Sequence, residues 1–405
     1  MIPLFKVRMP SSVGAAVLDT LYSGLVTEGP KAALFEKIFQ GWLGNRNTAI
    51  VNSGTSALTL ALRMCGAGLD TEIISTPMTC MAANTAAAAM GARIIWADID
   101  PGTGCIDVES ARSMITAKTK AIMFVDWAGI PANLDGLASI ALDYGVKLIE
   151  DAAHSIGARY KGRKIGNLCD YVCFSFQAIK HLTTVDGGAI ACADVASYER
   201  ARWLRWYGLD RHAPRTALWW GGDASEAGYK MHMNDVLATI GIEQIKDLDT
   251  TIEQHRRNAN WLIDAFVETR GISTPRIDIG IEPSFWVLPL RFSSPELRQH
   301  VSDSLTAAGI QNSIVHRRND SYKMFSKSKR QLPGVDIYAG TMLCVPCGWW
   351  ISEIEREDIA RTVVDAVRGL CEVLVGTRSG REAILSGPRP NCREDIWILH
   401  VGGAV

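Results

Sequence analysis

Between about residue 45 and residue 195, short apolar runs alternate with segments of helical periodicity. Ile94–Ala97 ends at Asp98, Ala121–Val125 ends at Asp126, and Val146–Ile149 ends at Glu150 and Asp151. Val172–Phe176 runs into a polar loop, and Ala189–Cys192 precedes Asp194. Runs this short and this apolar suit strands buried on both faces. The intervening segments, Leu134–Tyr144 among them, read as helices. The alternation predicts an α/β domain with a mainly parallel sheet, whose ligands sit beyond the carboxyl ends of the strands. Several runs end in acidic residues, where such a site is expected.

From Met233 to about Arg270 the spacing is helical again. After Gly271 the pattern changes: Trp286–Phe292 reads as a strand, Pro295–Ala308 as a helix and Glu353–Leu370 as another. These predict a large domain over 1–250, a smaller α+β domain over 251–375 and an unassigned tail over 376–405.

Composition narrows the function classes. The chain has 405 residues, 47% of them hydrophobic, with 42 Lys+Arg against 43 Asp+Glu. A core of this size needs no metal or disulfide staple. The formal net charge of −1 lacks the basic excess of a nucleic-acid binder. No run reaches the roughly 18 apolar residues of a membrane span, and the first residues lack the apolar core of a signal peptide. We expect a cytoplasmic protein without nucleic-acid or membrane partners. Most of the 10 cysteines lie in apolar stretches. The Cys344–Cys347 pair has no second pair at zinc-ribbon spacing and no thioredoxin-like context, so no metal site is expected.

Three local features carry chemistry. Asn52-Ser53-Gly54-Thr55-Ser56 opens the helical run Ala57–Met64. Free N–H groups, hydroxyls and the helix dipole there can bind phosphate, although the same residues also make a plain cap. Asp151, at a strand end, could pair with a cationic ring nitrogen or could cap a helix. Lys180 follows the run Val172–Phe176. Desolvation near strand ends would lower its pKa and free the amine as a nucleophile, whereas a lone loop lysine is ordinarily solvated. Together, a phosphate cradle, a ring-nitrogen carboxylate and a Schiff-base lysine are what pyridoxal phosphate requires.

With these residues in place, the sequence resembles the sugar aminotransferases of DegT/StrS type, within the fold type I pyridoxal phosphate enzymes. The resemblance spans roughly residues 3–370. It rests on Thr27-Glu28-Gly29-Pro30, Ser53-Gly54-Thr55, Glu150-Asp151-Ala152-Ala153-His154, Tyr160–Gly166, and Phe174-Ser175-Phe176 followed by Lys180. Asp151 and Lys180 are 29 residues apart, as the family pattern has them.

The resemblance implies a three-layer large domain, a smaller α+β domain and a homodimer with shared active sites. It makes Lys180 the catalytic lysine, linked to the cofactor and later shuttling a proton. It places Asp151 at the pyridine nitrogen and His154 near the 3-oxygen, with Gly54, Thr55, Ser56 and Ser175 around the phosphate. It further implies L-glutamate as amino donor, a pyridoxamine phosphate form in the cycle and a nucleotide-linked keto sugar as acceptor.

Two positions depart from the pattern. Cys80 stands where an aromatic residue usually covers the cofactor ring. Lys230, in Gly228–Met233, stands where Asn usually reaches the partner's phosphate. The segments Gln177–Thr184, His316–Asp320 and Gly348–Trp350 are similar to a subgroup that aminates 4-keto-6-deoxy sugars. Arg211, His316, Arg317 and Asp320 are therefore candidate substrate contacts, with packing roles as the alternative. The rival functions are a cofactor-binding regulator and a non-aminating member such as a keto-sugar dehydratase; the latter carry His at the lysine position, so Lys180 disfavours that reading.

Overall fold

The computed structural model describes residues 1–211, 213 and 223–381, of which 371–381 as backbone alone. Seven strands form the main sheet: β1 (Thr48–Val51), β2 (Glu72–Ser75), β3 (Arg93–Trp96), β4 (Thr119–Val125), β5 (Lys147–Asp151), β6 (Tyr171–Ser175) and β7 (Gly188–Cys192). Their order is β1-β7-β6-β5-β4-β2-β3. The pairs β2–β3, β2–β4, β4–β5 and β5–β6 are parallel, whereas β7 is antiparallel to both neighbours. The fully buried run Ala121–Val125 shows why these strands lack polar alternation: a parallel sheet is covered on both faces.

The antiparallel strand β7 has a consequence for the site. Its first residue, Gly188, pairs with Ser175 at the end of β6 and with Val51 at the end of β1. The loop after β1, the end of β6 and the start of β7 therefore meet at one edge. Asp151 ends β5 at that same carboxyl edge.

A three-stranded antiparallel sheet, Ile272–Ser273, Leu288–Phe292 and Met342–Val345, builds a second core with helices Pro295–Ala307 and Glu353–Arg381. The helix Leu248–Phe266 runs through both cores: Leu248 and Ile252 pack in the first, and Ala259, Leu262 and Phe266 in the second. Residues 250 and 251 lie inside that helix. The strand expected from Trp286 begins only at Leu288. Trp286 bonds instead from its backbone N–H to the Ala128 carbonyl, at 2.8 Å. The last helix continues to Arg381 and takes in the first residues of the expected tail. Residues 382–405 of that tail lie outside the described residues.

The large core also depends on one buried carboxylate. Asp235, 1% exposed, opens the helix Asp235–Gln244 and accepts the N–H groups of Gly29, Lys31 and Ala32 at 2.8, 3.1 and 2.9 Å. It thereby caps the helix Pro30–Leu43, whose own leading residue is Gly29. The negative charge also suits that helix's dipole. Asp235→Ala leaves three N–H groups without acceptors, so the expected loss is about 2–3 kcal/mol. Urea unfolding measures it, and an unchanged midpoint would contradict this role.

Candidate active site

The helix Gly54–Met64 begins at Ser53, whose Oγ accepts the Ser56 N–H at 3.0 Å. The Ser56 hydroxyl donates to Asn52 Oδ1 at 2.6 Å, so Ser56 is turned toward its own loop. The N–H groups of Gly54 and Thr55 have no acceptor among the described residues. A Cβ on Gly54 would lie 2.8 Å from Ser175 Cβ, and one on Gly188 would lie 2.7 Å from the Gly54 nitrogen. Glycine at both positions lets the helix N-terminus approach the end of β6. The Ser175 hydroxyl thus stands beside two free N–H donors at the positive end of a helix. That arrangement can hold a phosphate.

Lys180 lies in the loop after β6. Burial pulls its amine down to about 8, against the opposing pull of the Asp151 carboxylate and, less strongly, of Cys80. Asp151, 4% exposed, is pushed up to about 6 by the same desolvation, which outweighs the Ala153 N–H bond at 3.1 Å and the Lys180 charge. His154, 1% exposed, is held far below the ordinary imidazole range by burial and by Lys180. It is neutral at pH 7, and its Nδ1 has no partner among the described residues.

Trp286 joins these groups. Lys180 Nζ sits 3.6 Å from the Trp286 ring centroid, and the His154 ring stacks on the indole at 3.9 Å and 16°. The indole N–H donates to the Ile179 carbonyl at 2.8 Å, and Phe5 stacks on Trp286 at 4.8 Å. Position 286 escapes the sequence reading because the aromatic opens an apolar run and so looks like strand core. One signal is present: Pro283-Ser284-Phe285-Trp286, just before the Pro289-containing strand, suits an irregular approach.

The substrate candidates divide. His316 joins the cluster, with its ring 5.7 Å from His154 and 6.1 Å from Trp286. Burial lowers it to about 4. Arg317 is exposed and donates to Ser321 Oγ at 2.7 Å. Asp320 is buried in a two-bond ion pair with Arg318, both bonds at 2.7 Å. Arg211 pairs with Glu28 at 2.6 Å and lies over Trp206, apart from the Lys180 cluster. Lys230 is exposed beside the loop after β1, with its carbonyl 3.5 Å from Asn52 Nδ2.

Two buried asparagines, unread in the sequence, tie the loop of His316 to that of Cys80. Asn319 donates to the Thr79 carbonyl at 2.8 Å and its backbone N–H to the Pro77 carbonyl at 2.9 Å. Asn84 donates to Asn319 Oδ1 at 2.9 Å. Cys80 is thereby placed at the start of the helix Met81–Ala89. Behind Asp151 lies a second buried acid pair. Asp126 accepts from the Ser155 hydroxyl and the Ala132 N–H. Burial, with Asp126 beside it, raises Glu150 well above the usual carboxylate range, and neither Glu150 oxygen has a hydrogen-bond partner among the described residues.

A buried amine under the electrostatic influence of a carboxylate, with a helix N-terminus that can hold a phosphate at the same sheet edge, agrees with comparisons to known proteins. The model of the DegT/DnrJ/EryC1/StrS aminotransferase family matches residues 10–368. The chain belongs to that family. It is 30% identical to the spore coat polysaccharide biosynthesis protein SpsC of Bacillus subtilis, over 87% of this chain and 94% of that one. It is 28% identical to the UDP-4-amino-4,6-dideoxy-N-acetyl-beta-L-altrosamine transaminase of Campylobacter jejuni, over 82% and 88%. The sugar aminotransferase CalS13 of Micromonospora echinospora superposes with a TM-score of 0.86 at 33% identity, covering 90% of this chain and 100% of that one. The fold is that of the fold type I sugar aminotransferases, and its mainly parallel seven-stranded sheet agrees with this.

His181, next to Lys180, packs against His255 with ring centroids 4.4 Å apart and the rings tilted by 55°. His181 Nε2–H donates to the Ser284 carbonyl at 3.1 Å, and His255 Nδ1–H donates to the Phe285 carbonyl at 2.8 Å. Burial lowers His255 to about 4, while an unfolded histidine titrates near 6.5. Between those values the unfolded state binds the extra proton. The contribution of His255 is therefore complete above pH 6.5 and lost as pH falls toward 4. His255→Asn keeps a donor but removes the titration. In cofactor-free protein its unfolding free energy should fall less steeply over that window, by up to ~1.4 kcal/mol per pH unit. Identical slopes in urea titrations across the window would contradict the neutral state of His255.

Proposed function

We propose that this chain is a pyridoxal phosphate-dependent aminotransferase that moves the amino group of L-glutamate to a nucleotide-linked keto sugar, with a 4-keto-6-deoxyhexose as leading acceptor. The observation that carries the reading is the Lys180 amine, lowered to about 8 and set with Asp151 at the carboxyl edge. The residues present fit the cofactor. Gly54 and Thr55 N–H groups and the Ser175 hydroxyl would hold its phosphate, with Ser56 fixing the cap. Asp151 would pair with the ring nitrogen, and Cys80 and His154 would border the ring and its 3-oxygen. The bound cofactor supplies an electron sink for the substrate carbon.

The protein supplies binding, charge and proton movement. An amine lowered to about 8 has a substantial neutral fraction near physiological pH, so Lys180 can attack a carbonyl and then accept and return a proton. Asp151 is already close to titration, and a cationic ring nitrogen beside it would favour its charged form. His154 stays neutral and can hydrogen-bond without adding a second positive charge. His316, on the loop tied to Cys80, is the substrate-side group best placed to meet the acceptor. Arg317 is open to a nucleotide phosphate. Asp320 acts through Arg318 and Arg211 through Glu28, so their substrate roles in this reading are indirect. Lys230, exposed on its own subunit, reaches the partner's phosphate in a homodimer. The Campylobacter relative, named as acting on a UDP-sugar, supports a nucleotide-linked acceptor.

The absorption spectrum of the protein with pyridoxal phosphate tests the reading. The lysine-linked band should appear and then convert to the pyridoxamine form on addition of L-glutamate. Lys180→Ala should lose the linked band, with transamination reduced by at least ~10²–10⁴-fold. Full activity in that variant, or a wild-type band indifferent to every amino donor, would sink the assignment.

A further inference from the structure

Resting on the reading above, we propose that the face of Trp286 is the parking place of the Lys180 amine whenever the lysine is not bonded to the cofactor, which makes Trp286 a positioning residue. In the described state Nζ lies 3.6 Å from the indole centroid. The contact is attractive for the ammonium form and stronger away from water. Trp286 is 2% exposed.

The indole is held from several directions. Its N–H bonds to the carbonyl of Ile179, the residue before Lys180, at 2.8 Å. Two residues before Trp286, the Ser284 carbonyl accepts from His181, the residue after Lys180, at 3.1 Å. The segment Ser284–Trp286 thus grips both neighbours of the lysine. Its own position is set by Ser284 N–H to the Gly129 carbonyl at 3.0 Å, Ser284 Oγ to the His154 carbonyl at 3.1 Å and His255 to the Phe285 carbonyl at 2.8 Å. Phe285 lies at φ +50, a conformation that a phenylalanine adopts only under constraint. That constraint turns Trp286 toward the lysine instead of into the strand that follows.

An amine released between half-reactions has to stay near the reacting carbon and keep a usable protonation state. A flexible four-carbon chain would otherwise swing among rotamers. The charged and titratable groups facing Nζ are Asp151 and Cys80 on one hand, and His154, His181 and His316 on the other. The imidazoles are neutral at pH 7, so Trp286 is the apolar element that favours the cation at this spot.

The test uses the full chain stripped of cofactor, with competitive acetylation by acetic anhydride read at Lys180 by mass spectrometry across pH. Trp286→Leu should lower the labelling midpoint by about one pH unit and, once reloaded with pyridoxal phosphate, slow kcat about tenfold with little change in the glutamate KM. Trp286→Phe keeps a π-face and should stay nearer to wild type. Site-specific replacement of Trp286 by a multiply fluorinated tryptophan drains the π-face while keeping size and N–H, and should also lower the midpoint. It serves where the leucine variant fails to fold. A midpoint unmoved by fluorination and by leucine would overturn the proposal. A wild-type protein that links no cofactor at Lys180 would overturn the functional reading with it, and the absorption spectrum separates the two failures.

Discussion

The site depends on taking one amine out of water. Desolvation is the largest influence on Lys180, Asp151 and His154 alike, and each is displaced toward its neutral form. Yet the three are not interchangeable. Lys180 at about 8 and Asp151 at about 6 straddle neutrality, so each can change charge with a modest change in surroundings. An arrangement of this kind is unfavourable as a stability device, because neither charge is fully compensated. It is favourable for a group that must attack, release and move a proton.

Backbone topology makes the burial possible. β7 runs against its neighbours and brings Gly188 between Val51 and Ser175. The absence of side chains at Gly54 and Gly188 then lets a helix N-terminus close on the sheet edge. The second core completes the enclosure, since the Ser284–Trp286 segment enters from the start of its strand and bonds to the residues on both sides of Lys180. The small sheet is therefore part of the site's wall, and the helix Leu248–Phe266, shared by both cores, couples the two through His255.

Much of this was legible along the chain. β3 to β7 are legible as short apolar runs, and β7 is buried throughout. β1 and β2 are not, although both are fully buried and match β3 in having four residues and a polar first residue. Asp151 and Lys180 stand out by residue type and by position after strand ends, and the structure buries both. The other strand-end acids show how far that rule reaches. Asp98 accepts the N–H groups of Gly334 and Val335, and Asp194 caps its own helix through Ser197. Asp126 shares its burial with Glu150. Only partners supplied by the fold distinguish a cap from a site. Trp286 is not legible for the same reason, since its contacts with His154, Ile179 and Lys180 are with residues more than a hundred positions earlier.

Cys80 draws these strands of argument together. A thiol in place of an aromatic ring gives a bound ring less dispersion contact on that side. The protein does not leave the segment loose in exchange: Asn319 and Asn84, both fully buried, fasten residues 76–79 through three hydrogen bonds and are joined to each other by a fourth. Breaking such buried links is costly, so together they favour one position of the loop, although Asn84 Oδ1 has no partner among the described residues. The same Asn319 sits between Arg317 and Asp320, three residues beyond His316. The placement of the loop after β2 and that of the His316 loop are thus set by one side chain. In the proposed reading, a thiol at Cys80 leaves more space beside the cofactor ring, and a fixed rim around that space suits a bulky sugar.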